Sequence, residues 1–341
     1  MDIRNRRDLR QRAADAVAAN PGDPRLTLLV YVAVTAFAGL LVAAMTTILD
    51  QRIANTGGLQ NLGTQAILST IRSTIPLVLA LAMMGLGLGR RGVALGLARR
   101  QAVEPRSLLM GFPRFGALLR TMILFGLLGY VLIMASVIVG SIIFMATPLS
   151  RDLLTIMVNA GLSGEEMYTA LYNDPAFLEQ MFNAMLPAYP IVGAVLLLLA
   201  APFFYRFRMT SFCLLDGHRK GALKSIGESI RMTKGNCLSL LKLDLGFWWF
   251  YLCHWLCIAV AYGDALLPLI GVTLPWNDTA SYFIFYAASL ALEGLLYYFT
   301  LNKVQTTYAL AYEAIHPRPQ PTQGGVVLGN IFDLAREQMG K

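Results

Sequence analysis

Apolar residues in this chain run in long blocks separated by short polar stretches; they do not alternate along strands. About 20 mostly apolar residues suffice for a helix to cross roughly 30 Å of hydrocarbon. On that measure the pattern predicts six spans, at about 26–49, 65–89, 121–149, 186–205, 243–262 and 281–301. The fold class is therefore all-α, a polytopic membrane helix bundle of about six transmembrane helices. One domain covers 26–315, preceded by a basic helix in 1–25 and followed by a tail, 316–341.

The segments between spans carry helical patterns of their own. Leu9, Ala13 and Val17 recur every fourth residue among arginines before Asn20-Pro21-Gly22, which predicts a basic amphipathic helix lying on the inner leaflet, or else a solvated charged start. The first apolar span begins only at Leu26 and runs 24 residues, too long for the core of a cleaved signal peptide. In the segment 150–185, Ser163-Gly164-Glu165-Glu166 has capping-box spacing, and Asp174-Pro175 predicts a helix start leading to about Met185. In 219–234, Leu223, Ile226 and Ile230 share one face amid Lys220, Lys224, Arg231 and Lys234. The proline-rich start of the tail predicts a mobile stretch ending in a short helix near Phe332.

Composition sharpens the class. Only 14% of the 341 residues are charged and 56% are hydrophobic, with mean hydropathy +0.56, against about 25% charged in soluble domains. A net charge of +8 raises nucleic acid as a partner. The basic residues, however, come in clusters: six in 1–25, seven in 90–120, seven in 206–236 and four after Asn302, with apolar spans between. That is the positive-inside pattern, and it argues against nucleic-acid binding. It places the basic loops 90–120 and 206–242 and both termini in the cytoplasm, with 150–185 outside. Membrane lipids are the implied surroundings; oligomeric state is left open.

Candidate chemistry is sparse. No nucleotide-binding, hydrolase or metalloprotease motif occurs. Cys253 and Cys257 share a helix face beside His254, but further ligands are lacking, so the thiols read as packing and no metal or other cofactor is expected. Gly85-x-x-x-Gly89 reads as a close-packing face, within the chain or between copies. The remaining candidates are ionisable residues in or beside spans: Arg72, Glu293, Lys242 and Asp244, a candidate polar patch. From the outer ends of their spans Arg72 lies about 12 Å deep and Glu293 about 19 Å. The sequence thus predicts that the two pair or share a hydrated pocket if spans two and six are neighbours.

The stretch Leu215-Asp-Gly-His-Arg-Lys-Gly-Ala-Leu-Lys-Ser-Ile-Gly-Glu-Ser-Ile-Arg-Met-Thr-Lys-Gly-Asn236, then Leu241-Lys-Leu-Asp-Leu-Gly-Phe-Trp248 and Val304-Gln-Thr-Thr-Tyr-Ala-Leu-Ala-Tyr-Glu313, resembles a bacterial integral-membrane family, domain of unknown function 975. The resemblance implies a multi-span bacterial inner-membrane protein and supplies no activity. The expected function is a non-catalytic transport, export or membrane-assembly component that docks a cytoplasmic partner, such as an ATPase, through basic amphipathic segments at 92–118 and 219–234. The alternative is an intramembrane enzyme acting on a lipid or isoprenoid-linked substrate through Glu293 and Asp244, with Arg72, Lys242 and His254 as phosphate or acid–base partners.

Overall fold

The structure, a computed structural model, describes residues 3, 5–55, 62–160, 173–216, 221–269, 271–272 and 277–316. The expected cap at Ser163–Glu166 and the tail helix near Phe332 lie outside these residues. All the regular elements described are helical: α1 (Arg6–Ala18), α2 (Pro24–Asn55), α3 (Leu62–Ala98), a 3-10 helix (Pro105–Arg114), α4 (Phe115–Ala146), a 3-10 turn (Pro148–Ser150), α5 (Arg151–Ala160), α6 (Pro175–Met185), α7 (Ala188–Phe207), α8 (Thr210–Asp216), α9 (Ala222–Thr233), α10 (Cys237–Leu245), α11 (Trp248–Ala261), α12 (Gly263–Leu269) and α13 (Asp278–Ile315). Five helical stretches are long and apolar enough to cross a membrane, and α10 with α11 makes a sixth if that bent pair is one span. The molecule is a multi-pass membrane protein.

The spans hide little of their surface inside the chain: their most apolar windows are 0% to 17% buried. Leu197, Leu198, Phe37 and Phe299 are 69–76% exposed. Such surface is disfavoured in water but matches lipid tails, which are as apolar as leucine. The largest buried cluster lies at one end, where Leu9 and Ala13 of α1, Leu240 and Leu243 of α10, and Tyr308, Ala309 and Tyr312 of α13 pack together; a smaller one, Phe144, Leu153 and Ala184, lies at the other. The end with the largest cluster, hereafter the basic end, exists because the long helices outrun the hydrocarbon. At 1.5 Å per residue, the 38 residues of α13 reach about 57 Å.

Several expectations change here. The apolar stripe of α1 docks on the bundle, with Leu9 and Ala13 fully buried, so it is spent on protein and not on a leaflet. Asn20 fixes the linker that follows: its amide donates to the Gln101 carbonyl (2.7 Å), and its side-chain oxygen accepts from the Gly22 and Val103 N–H groups (2.9 and 3.2 Å). The basic segment 90–120 is no free loop. α3 continues through it to Ala98, and the 3-10 helix then folds back along α3. The Gly85–Gly89 face receives that 3-10 helix within the same chain. A Cβ on Gly89 would sit 1.7 Å from the Leu108 carbonyl oxygen, and one on Gly111 2.0 Å from that of Gly85.

In α9 the buried face is Ala222, Ser225, Ser229 and Thr233, while Leu223 is 73% exposed. Ser229 and Thr233 donate to the Arg206 carbonyl (2.7 and 3.2 Å). Hydrogen bonding to a free carbonyl at the end of α7 outweighs the aliphatic stripe that the sequence suggested. The fifth span is broken: α10 and α11 bend by 62°, through tight bonds from Gly246 N–H to Leu243 O and from Phe247 N–H to Asp244 O (3.1 and 2.8 Å). At the opposite end Asp174 caps α6 as its sequence predicts, accepting from the Ala176 and Phe177 N–H groups (3.0 and 3.2 Å).

Candidate functional site

Polar chemistry concentrates at the basic end in two linked clusters. The first centres on Asp244, on the last turn of α10 just before the bend. Its Oδ1 accepts from Arg208 Nη2 at 2.6 Å and from the Tyr308 hydroxyl, and its Oδ2 accepts from the Tyr205 hydroxyl at 3.0 Å. Arg208 also donates to the Tyr251 hydroxyl (3.4 Å), which lies 2.8 Å from that of Tyr308. The guanidinium carbon is 4.4 Å from the centre of the Tyr308 ring. These residues come from α7, α10, α11, α13 and the α7–α8 junction, so a network centred on one carboxylate joins four helices across the break in the fifth span, with α11 entering through Tyr251 on Arg208 and Tyr308. Arg208 and Asp244 are only 15% and 13% exposed. With both oxygens occupied by donors, Asp244 is a lock more than a base waiting for a proton.

The second cluster begins at Arg99, just past α3. Its guanidinium reaches Asp216 on α8 at 2.8 Å and Glu313 on α13 at 2.6 Å, and the Tyr312 hydroxyl donates to Asp216 Oδ2 at 2.9 Å. Phe212 stacks on the Tyr312 ring, centroids 5.5 Å apart. One turn beyond Tyr312, His316 lies 3.0 Å from Glu228 of α9. Nearby, Arg91 donates to the Ser211 hydroxyl and Arg114 to the Leu214 carbonyl. Much of the positive charge that the sequence assigns to a loop is thus bound inside the bundle.

The four sequence candidates do not form one patch. Arg72 and Glu293 do not pair, which corrects that expectation. Arg72 meets Asp50 of α2, its Nη2 3.1 Å from Oδ2, because α2 and α3 pack against each other and bring Asp50 alongside. Both side chains are about half exposed, 50% and 49%. Glu293 instead faces α11, its Oε1 3.3 Å from His254 Nδ1, and the His254 ring stacks against Tyr297, centroids 6.0 Å apart. Asp244 turns inward to Arg208. Lys242 stays exposed, with its carbonyl accepting from Arg6 at 3.1 Å. Cys257 is buried, and its carbonyl accepts from the Ser289 hydroxyl at 2.6 Å. Among the described residues no three His, Cys, Asp or Glu side chains gather as a metal ion would require.

Sequence reasoning missed Arg99, Arg208, Tyr205, Tyr251 and Asp50 as partners. One signal was available. The three stretches that carry the family resemblance contain Asp216, Asp244, Tyr308, Tyr312 and Glu313, and folding brings all five into these two clusters. No curated protein and no solved structure matches the chain. A family model described as a protein of unknown function (DUF975) matches residues 1–318. A bundle whose family-like stretches converge on one polar core, matched over nearly its whole length, belongs to the DUF975 family of proteins of unknown function.

Proposed function

We propose that the chain is a non-catalytic component of transport, export or membrane assembly in a bacterial inner membrane, with its basic end in the cytoplasm, where it docks an acidic segment of a partner protein. The observation that carries this reading is the division of charge at that end. The inward carboxylates Asp216, Glu313 and Asp244 are held by arginines of the chain itself. The outer face of α9 displays Leu223, Lys224 and Arg231, with Lys234 just beyond, all exposed. Glu228, the acid of that helix, turns to His316. A rigid base under a basic face with one protruding leucine suits an acidic, partly apolar helix.

The test is a photo-crosslinking residue at Leu223 in living cells, with Lys224→Glu, Arg231→Glu and Lys234→Glu as the charge-reversed comparison. The expected result is one protein adduct that disappears on charge reversal. No adduct, or one indifferent to charge, overturns the reading. Reagent labelling of single cysteines at Gly221 and Asn277 from each side of intact vesicles tests the orientation. The intramembrane-enzyme alternative draws on the His254–Glu293 contact alone; a lipid turnover abolished by Glu293→Gln without loss of stability would favour it.

A further inference from the structure

The docked N-terminal helix leaves a groove against the break between α10 and α11. Its volume is about 490 Å³, and Arg6, Arg7, Arg10, Leu245, Gly246 and Trp248 line it. Small-molecule sites fall in about the same range, 300–1,000 Å³. A second hollow of about 210 Å³ adjoins it through Arg6 and adds Ser239 and Lys242. No carboxylate is among the described lining residues of either. Arg10 stacks over Phe247 at 4.7 Å, yet its Nε is buried with no hydrogen-bond partner among the described residues. Burial, and then the charge of Arg6, pulls this guanidinium below its usual pKa, the direction expected where cations crowd without an anion.

The surface leading away from the groove is apolar and open. Leu245 and Trp248 are 60% and 62% exposed, and Leu252, Trp255 and Leu256 continue along the same face of α11 at 49%, 67% and 57%. Cations at the head of an apolar strip, with a tryptophan between them, match a lipid: headgroup phosphate on the guanidinium forks, acyl chain on the strip. We propose that this groove binds one anionic phospholipid, its phosphate between Arg6, Arg7 and Arg10 and its tail along Trp248 and Leu252. Zwitterionic lipids lose because their own ammonium enters a site that already holds three cations. A free phosphate compound offers the same phosphate without the tail.

Native mass spectrometry of the full chain, delipidated in detergent, tests this with phosphatidylglycerol and phosphatidylcholine of matched tails. The expected result is a single phosphatidylglycerol adduct at least about tenfold stronger than the phosphatidylcholine one. Near an anionic surface each Lys or Arg is worth roughly fivefold, so exposed Arg7→Glu should weaken the adduct at least about fivefold. Gly246→Ala should act alike without unfolding, since its Cβ would sit 1.4 Å from Arg10 Nη2, the far end of a flexible side chain. Arg106→Glu, an exposed basic position away from the groove, makes the same charge change and should leave binding unaltered. Equal affinity for the two lipids, or equal loss in Arg106→Glu and Arg7→Glu, overturns the site. Displacement of the lipid by equimolar glycerol phosphate overturns the lipid assignment in favour of a soluble phosphate ligand.

Discussion

Replacing Asp244 by alanine removes the carboxylate at the centre of the network that joins α7, α10, α11 and α13, with α11 entering through Tyr251 on Arg208. Three donors then lose their acceptor: the Arg208 fork at 2.6 Å, the Tyr205 hydroxyl at 3.0 Å and the Tyr308 hydroxyl. A hydrogen bond to a charged group contributes about 1.5–3 kcal/mol, but the three share one acceptor and do not add. The governing cost is the arginine left charged at 15% exposure, about 3–5 kcal/mol for a broken buried pair. In detergent this should lower the apparent unfolding temperature by roughly 5–15 °C. Tyr308→Phe, which keeps the ion pair, should cost about 1.5–3 kcal/mol. Asp244→Leu combined with Arg208→Met should recover most of the loss, leaving the Tyr205 hydroxyl without its acceptor as the residual penalty, since the Tyr251 and Tyr308 hydroxyls still bond each other. The internal control is Asp8→Ala, which breaks the exposed pair with Arg12 on α1, outside the spans, and should cost about 0–1 kcal/mol. If Asp244→Ala unfolds no earlier than Asp8→Ala, the carboxylate is not a buried lock and the reasoning fails.

Gly89→Ala and Gly111→Ala should abolish membrane accumulation of the folded chain, because each Cβ would lie within 2.0 Å of a backbone carbonyl oxygen. Gly87→Ala on the same helix meets no atom within 4 Å and should be neutral or more stable by up to about 1 kcal/mol; fluorescence-detected gel filtration distinguishes them. Arg99→Lys keeps the charge but cannot fork between Asp216 and Glu313, so a loss of about 1–2 kcal/mol is expected in thermal unfolding. Asn20→Ala leaves the N–H groups of Gly22 and Val103 and the Gln101 carbonyl without their partner, and should speed hydrogen exchange across residues 6–23 before it lowers global stability.

Spans, class and some local devices are legible in the sequence because each depends on residues close together. Membrane insertion needs only a run of apolar residues of sufficient length. The Asp174–Pro175 cap is closed within three residues, and the small-residue face at Gly85 and Gly89 lies one turn apart on a single helix. Ends of elements are harder to read. The charges at Arg90 and after Leu301 mark where the apolar run stops, and the helices continue past them because neighbours bury their far ends. The bend at Gly246 hides inside an apolar run that is long enough for one straight span.

What only the tertiary structure decides is which charge answers which. Arg99 and Glu313 are 214 residues apart, Arg99 and Asp216 117, and Tyr308 and Asp244 64; no periodicity links positions so distant. Arg72 and Glu293 stand at depths that allow contact and their helices pack together, yet depth is one coordinate, and Arg72 turns to Asp50 of α2 while Glu293 turns to His254 of α11. The outcome at α9 has the same origin, since its apolar stripe is visible in sequence but the free carbonyl at Arg206 is not. Hydrophobic length is a one-dimensional quantity that the chain carries openly. Electrostatic pairing is short-ranged in three dimensions, so it has no value until the helices have been placed side by side.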